Sequence, residues 1–433
     1  MKPTLVERLL SPMADVRRHE AAGALLMTLL VFLLLDAYYL LKTAREMLIL
    51  TEGGAAVKSY SSAGQALLLL GLVPAYGAFA SRVNRVRLVT SVTLFFASHL
   101  VLFMMALGAG MRVGVAYFLW VGIFNLMVVA QFWAFANDLY TQEQGRRLFP
   151  LIGVGASLGA WAGSMRAGAL VEGSSPARLL SGAGVLLVIC ALLFPIINRL
   201  VMRHRTGETV RIAEEPLSKE GGFSLLLGDR YLALIAVLTL LLNVVNTTGE
   251  YLFGRFVVEQ SLALYPADEA ARSQFIGETY SRFFSTVNLL GFLLQSFVVS
   301  RLFKWLGVGR SLFIHPMVAL TGYLVMLRGP SLPVISAVKV ADNSIDYSLS
   351  NTTRQALWLP TSREAKYKAK QAVDSFVVRI GDMASAGVVF VGERLALAVS
   401  AFAAVNIVLA ASWLVVVTLL TAARVRREHP STV

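Results

Sequence analysis

The sequence predicts an all-α membrane protein of about twelve transmembrane helices, arranged as two six-helix bundles. Three observations carry that reading. Hydrophobic residues make up 56% of the 433-residue chain and charged residues only 15%, whereas a soluble domain runs nearer to about 45–50% apolar and 25% charged. Apolar runs of about 20 residues, enough to cross a hydrocarbon core roughly 30 Å thick, recur along the whole length. Basic residues collect in alternate connections between those runs, as they do on the cytoplasmic side of a polytopic protein.

The runs fall at 20–41, 58–80, 88–108, 113–136, 149–171 and 178–201, then at 229–255, 278–301, 309–328, 332–353, 371–391 and 395–421. Ahead of the first lie Lys2, Arg8, Arg17 and Arg18, and the second connection holds Arg82, Arg85 and Arg87. The fourth holds Arg146 and Arg147, the sixth Arg203, Arg205, Arg211 and Lys219, and the eighth Arg301, Lys304 and Arg310. The tenth holds Arg354, Arg363, Lys366, Lys368 and Lys370, and the tail Arg424, Arg426 and Arg427. The odd connections are sparser, with Arg112, Arg328 and Arg394 as examples. Both termini are therefore expected in the cytoplasm. The formal net charge of +13 becomes an orientation signal, and no nucleic-acid partner is expected. The first run is too long for a signal h-region and lacks a small-residue cleavage site, so no cleavable signal is expected. Cys190 is the single cysteine, which excludes an intrachain disulfide.

The polar stretch 203–228 divides the chain into an N-terminal bundle, 1–202, a cytoplasmic linker, and a C-terminal bundle, 229–433. Transporters of the major-facilitator type are built this way, with the substrate site near the midplane between repeats. A short internal echo supports the division: Thr141-Gln-Glu-Gln-Gly-Arg146 and Thr361-Ser-Arg-Glu-Ala-Lys366 occupy equivalent places in the two halves. A short external amphipathic helix is expected over 257–276.

Charges at membrane depth cost about 2.5–3.5 kcal/mol each on insertion scales and normally face partners or a watery cavity. Lys42 and Arg45, with Glu46 beside them, lie one helical turn apart at the end of the first run; snorkelling of their long side chains is the alternative. The seventh run carries Asn243, Asn246 and Glu250 as one stripe, with Arg255 beyond, and interhelical hydrogen bonding is its alternative. The tenth carries Lys339, Asp342, Asn343 and Asp346, a stripe that cannot face lipid. The eleventh adds Asp374, Arg379 and Asp382, of which Arg379 and Asp382 can satisfy each other. Gly153, Gly155, Gly159 and Gly163 of the fifth run suit close helix approach and are assigned no ligand. His19, His99, His204, His315 and His429 are scattered without metal-ligand spacing. No phosphate-binding Gly-rich loop ending in Lys-Ser/Thr and no Gly-x-Ser-x-Gly elbow occurs. Neither an enzyme, a cofactor nor a metal site is expected.

Three segments together resemble the ATP:ADP antiporter family of bacterial and plastid nucleotide transporters. They are Lys42-Thr-Ala-Arg45-Glu46-Met-Leu-Ile-Leu-Thr51; Phe132-Trp-Ala-Phe-Ala-Asn137 with Arg146-Arg-Leu-Phe-Pro-Leu-Ile-Gly-Val-Gly155-Ala; and Tyr347-Ser-Leu349 with Arg354-Gln-Ala-Leu-Trp-Leu-Pro360 and Lys366-Tyr-Lys-Ala-Lys370-Gln-Ala-Val-Asp374. Glu250 falls on a glutamate that the family uses in its seventh span. The resemblance implies a major-facilitator-like fold and exchange or uptake of nucleotides, or of a related phosphorylated anion, by a monomer in a bacterial inner membrane. With the polar stripes, the candidate substrate-binding residues are Lys42, Arg45, Lys58, Asn137, Asn246, Glu250, Arg255, Lys339, Asp342 and Asp346. Glu46, Glu250, Asp346, Asp374 and Arg379 are the gating or coupling candidates, and Tyr38, Tyr39 and Phe132 the candidates for stacking on a base. Charge-assisted hydrogen bonds from the cations would hold the phosphates. The chain departs from the family pattern at Asp346, where the family has lysine, at Asn351 and Gln355, where it has acids, and at Arg45, where it has lysine. Those departures keep two alternatives open: a carrier for another organic anion, and a non-transporting scaffold or sensor on the same fold.

Overall fold

A computed structural model describes residues 17, 20–80, 84–171, 175–203, 222–362, 365 and 369–428. The expected linker lies outside the described residues over 204–221, as do Lys366 and Lys368 of the tenth connection. The regular elements among the described residues are all helical: α1 (Ala21–Ala80), α2 (Arg85–Gly108), α3 (Gly114–Phe124), α4 (Ala130–Leu139), α5 (Gln142–Val171), α6 (Pro176–Arg203), α7 (Gly222–Gly228), α8 (Arg230–Leu264), α9 (Glu269–Leu293), α10 (Val299–Ser311), α11 (Ile314–Met326), α12 (Leu332–Ile345), α13 (Asn351–Leu357), α14 (Val378–Arg394) and α15 (Val399–Glu428). Single π-turns join α3 to α4 at Asn125–Val129, α9 to α10 at Leu294–Val298 and α12 to α13 at Asp346–Ser350, and another precedes α14 at Val373–Val377.

Helices dominate because a backbone in hydrocarbon must satisfy its own N–H and C=O groups. Among the described residues, nine helices are long and apolar enough to cross a membrane, and Ile314–Met326 is apolar but shorter. Two of the nine, Ala21–Leu72 with 52 residues and Glu269–Ser311 with 43, exceed twice the ~20 residues that one crossing needs. The first of these bends at Gly54, whose φ of 72° and ψ of −175° lie where a Cβ would clash and glycine does not. The helix therefore continues past residue 41, so Lys42, Arg45 and Glu46 sit inside it rather than at its end. The external amphipathic helix expected over 257–276 is instead the end of α8 and the start of α9, separated by residues 265–268.

Contacts divide the chain into two compact units. The first comprises Met1–Glu52, Gly71–Ile212 and Leu264–Leu289. Its core holds Met27, Leu30, Val31 and Leu34 of α1 with Tyr117, Phe124, Phe132, Phe135, Leu187 and Phe194, all fully or almost fully buried. A glycine seam sets the α1–α5 spacing. A Cβ on Gly155 would lie 2.6 Å from Thr28 Cγ2, one on Gly163 would lie 2.5 Å from the Asp36 carbonyl oxygen, and one on Gly159 would strike the Phe32 backbone. Without side chains at these three positions the two backbones touch, the packing that association in lipid relies on. Glu20 takes two hydrogen bonds of 2.9 Å from the Arg147 guanidinium, tying the start of α1 to α5. Glu52 accepts from the backbone N–H groups of Val113 at 3.2 Å and Gly114 at 2.7 Å, so a distant carboxylate caps the start of α3.

The second unit comprises Gly53–Leu70, Ala213–Ala263 and Leu290–Val433. Within it α11 packs against α15 and α12. Asp229 begins α8 as its cap, accepting from the Tyr231 amide at 2.8 Å and the Leu232 amide at 3.4 Å, with Arg427 at 2.7 Å on its other oxygen. The membrane-length helix begins at Arg230 rather than at 229, so Asp229 lies just outside it. Burial pushes its carboxyl up, but the Arg427 hydrogen bond, the amide bonds and the Arg427 charge together hold it below its ordinary value.

Candidate functional site

In the first unit the candidate residues lie on one stretch of α1. The Lys42 ammonium sits 4.3 Å from the centroid of the Phe284 ring and 5.3 Å from that of Tyr39. The Arg45 guanidinium lies 4.7 Å from the Phe118 ring centroid and donates to Glu46 Oε1 at 2.6 Å. Glu46 is fully buried. A cation over an aromatic face is attracted by the ring quadrupole, more strongly where water is excluded.

The candidate aromatic residues are engaged. Tyr39 donates to Asn288 Oδ1 at 2.9 Å, and the Asn288 amide donates on to the Ala160 carbonyl and to Ser164 Oγ of α5. Tyr38 stacks on Phe124 with centroids 6.4 Å apart, and Phe132 is fully buried in the core. Asn137 is exposed near the end of α4, next to Asp138, which pairs with Arg85 at 2.8 Å. A pairing that sequence reasoning missed links Asp36, fully buried on α1, to Arg166 on α5. Asp36 was visible as a charge inside a run, but nothing in the sequence pointed it at Arg166.

In the second unit Lys58 lies 3.6 Å from Glu250 on α8. One helical turn earlier on α8, Asn246 begins a continuous polar cluster. Its Nδ2 is 3.5 Å from Asp346 Oδ2, and its Oδ1 is 3.5 Å from Lys339 Nζ. Lys339 donates to Asp342 at 2.7 Å, and the pair is almost completely buried, at 1% and 4% exposure. Asp346 opens the π-turn between α12 and α13 and has Arg354 at 3.7 Å; such turns are frequent where a helix serves a site. The stripe of the tenth run is therefore turned inward, as a set of charges this apolar requires.

His315 is the residue that sequence reasoning set aside. It stands on α11 with Nε2 3.2 Å from Asp342 and Nδ1 3.9 Å from Asp346, and its ring lies edge-on to Trp413 of α15 at 4.8 Å. A lone histidine in an apolar run carries no spacing signal, so only packing reveals it.

The other candidates have structural partners. Arg255 is held by Glu259 at 2.9 Å, the Tyr251 hydroxyl at 3.2 Å and Glu393 at 3.4 Å. Arg379 donates to Asp382 at 3.1 Å, and Asn243 donates to Asp382 at 2.9 Å and to the Val378 carbonyl at 2.8 Å. Asp374 pairs with Lys370 one turn away at 2.9 Å. Among the described residues, no group of three or more His, Cys, Asp or Glu side chains is arranged to hold a metal ion.

The profile of one family, the TLC ATP/ADP transporter, matches residues 115–328 and 331–428. The chain belongs to this family. It is 25% identical over 294 residues to ADP,ATP carrier protein 1 of Chlamydia muridarum, covering 59% of this chain and 54% of that protein. It is 22% identical to ADP,ATP carrier protein 4 of Rickettsia conorii, covering 86% of this chain and 84% of the relative. The chain thus spans about half the length of the Chlamydia carriers it matches. Among solved structures, the nucleoside transporter NupG shares the fold with a TM-score of 0.61 at 14% identity, covering 92% of this chain and 98% of NupG. A POT family transporter in complex with 5-aminolevulinic acid gives 0.61 at 16% identity, covering 93% and 96%. The family member is thus an integral membrane protein of all-α, major-facilitator-like fold.

Proposed function

We propose that this protein is a secondary transporter that exchanges or imports nucleotides of the ATP/ADP kind, or a related phosphorylated anion, by alternating access. In this reading it works as a monomer in a bacterial inner membrane, with both termini cytoplasmic and the halves 1–202 and 229–433 joined through 203–228. The carrying observation is that candidate cations are held inside helices by carboxylates: Arg45 by Glu46 at 2.6 Å, Lys58 by Glu250 at 3.6 Å and Lys339 by Asp342 at 2.7 Å. Charges at this depth are costly even when paired, and they mark substrate pathways or relays. Phosphate oxygens present the same acceptor chemistry as those carboxylates, so a phosphate that reaches such a pair competes for its cation and displaces its carboxylate. Substrate arrival is then coupled to the release of ion pairs, which is what a gate requires. A less highly charged organic anion is the second reading, favoured by the buried Asp346 at a position where a phosphate would be repelled.

The test is exchange in proteoliposomes loaded with ADP and supplied with labelled ATP. Hydrogen bonds to a charged group contribute about 1.5–3 kcal/mol, so Arg45→Ala should lower kcat/KM by about 10- to 150-fold. Absence of flux with every nucleotide tried, alongside uptake of a nucleotide-free anion, would transfer the proposal to the second reading.

A further inference from the structure

The polar cluster of the second unit sets two buried polar atoms face to face. His315 and Asp346 are 5% and 7% exposed, and neither His315 Nδ1 nor Asp346 Oδ1 has a hydrogen-bond partner among the described residues, although they face each other at 3.9 Å. The other ring nitrogen, Nε2, lies 3.2 Å from Asp342 Oδ1. A carboxylate accepts and does not donate, so the proton of a neutral imidazole belongs on Nε2, pointing at Asp342. Nδ1 is then an acceptor aimed at a second acceptor, Asp346. Buried polar atoms left in that state cost free energy that a bridging donor recovers.

The groups around the ring decide what that donor is. From α12 come Lys339 and Asp342, from the following π-turn Asp346, and from α13 Arg354, 3.7 Å from Asp346. From α8, Asn246 reaches both Asp346 and Lys339, and Glu250 lies one turn further on. From α15 comes Trp413, which carries no charge, and from α11 itself Tyr323, which donates to the Val245 carbonyl at 2.8 Å. With the imidazole neutral, Lys339 and Arg354 balance Asp342 and Asp346. One added proton gives an imidazolium with a carboxylate at each nitrogen: Nδ1 becomes a donor toward Asp346 Oδ1, the oxygen that also faces Arg354 at 3.7 Å.

We propose that His315 is a proton-binding site, and that proton uptake there is linked to substrate transport. The proton adds to Nδ1 from one aqueous compartment, draws Asp346 toward the ring and away from Arg354 and Asn246, and leaves to the other compartment when the cluster opens. Asn246 and Glu250 share one face of α8, so the shift reaches the Lys58–Glu250 pair. The linkage to transport rests on the function proposed above; the protonation site does not. Imidazole can bind and release a proton at either ring nitrogen, which suits it to run such a cycle.

Two measurements test this on the full-length purified protein. In the first, Trp emission is followed against pH without substrate. Imidazolium beside an indole quenches it, so a reversible pH-dependent change is expected, present in the wild type and absent from both His315→Gln and Trp413→Phe. No difference between wild type and His315→Gln overturns the protonation site, whatever is found for transport. In the second, proteoliposomes carry a pH gradient of one unit, which supports about tenfold accumulation for each coupled proton. The ratio of gradient-driven accumulation to exchange at symmetrical pH should fall at least about fivefold in His315→Gln, from that tenfold limit. Exchange that ignores the gradient in the wild type overturns the linkage and leaves the transporter reading standing. Loss of all exchange in the wild type removes the transporter reading, and the linkage with it. A gradient of sodium that replaces the proton gradient in full also overturns it.

Discussion

Replacing Lys339 by methionine takes away the ammonium 2.7 Å from Asp342 and keeps most of the side-chain volume. Asp342 is 4% exposed, so water cannot enter to replace the lost charge. What remains is the His315 contact at 3.2 Å. Breaking a buried ion pair from one side costs about 3–5 kcal/mol, whereas replacing both partners by apolar groups of similar size is often close to neutral. Each kcal/mol moves the unfolding midpoint of a domain of about 150–250 residues by about 2–4 °C, so Lys339→Met should lower the midpoint by about 6–20 °C. The double variant Lys339→Met with Asp342→Leu should regain at least half of that loss. The assay is loss of the monodisperse peak after heating in detergent, with one fixed heating time for all variants. Additive losses in the double variant, or a Lys339→Met midpoint equal to that of wild type, would refute the claim that the pair is mutually dependent.

Three further outcomes follow from the packing. Gly163→Ala places a Cβ 2.5 Å from the Asp36 carbonyl oxygen, and because backbone cannot swing aside it should destabilise by about 1–3 kcal/mol, while Gly153→Ala, where a Cβ meets nothing within 4 Å, should be silent in the same melt. Glu52→Ala strips the acceptor from the Val113 and Gly114 amides and should cost about 0.5–2 kcal/mol, with Glu52→Gln milder; hydrogen exchange at the start of α3 reads this directly. Asp229 has a folded-state pKa below its ordinary value, so its stabilising effect is fully present above the unfolded pKa and fades as pH falls through the folded one. Asp229→Asn should therefore be less stable than wild type at pH 7, with the gap closing on acidification below the ordinary carboxylate range, as melts at stepped pH would show.

Much of the architecture was legible before any coordinate. Span positions follow from the thickness of a bilayer and from the cost of unpaired backbone in it, both of which act on local sequence. The same holds for the glycine seam: residues four apart on a helix share a face, and Gly155, Gly159 and Gly163 lie against Thr28, Phe32 and Asp36. The bend was not legible in this way. Gly54 is one glycine of 34, and its positive φ decides where a 60-residue helix turns. Nor were the ends of α8 and α9, whose polar residues suggested a separate surface helix.

For the candidate site, composition and periodicity marked Lys42, Arg45, Glu250, Lys339, Asp342 and Asp346 because a charge in an apolar run is conspicuous wherever its partner is. Which partner it meets is a property of three dimensions. Asp36 with Arg166, Lys58 with Glu250, and His315 with two aspartates join residues 130, 192 and about 30 positions apart in the chain, separations at which helical periodicity carries no information. The π-turn beginning at Asp346 also changes the face on which later residues of that span emerge, which a reading at 3.6 residues per turn cannot anticipate. The sequence alone determined that this chain lives in a bilayer and that certain helices must hide charge, because transfer free energy depends on residue type. Only the tertiary structure decided which charges neutralise one another and which acceptors are left facing without a proton, because pairing depends on distances of a few ångströms between segments far apart in the chain.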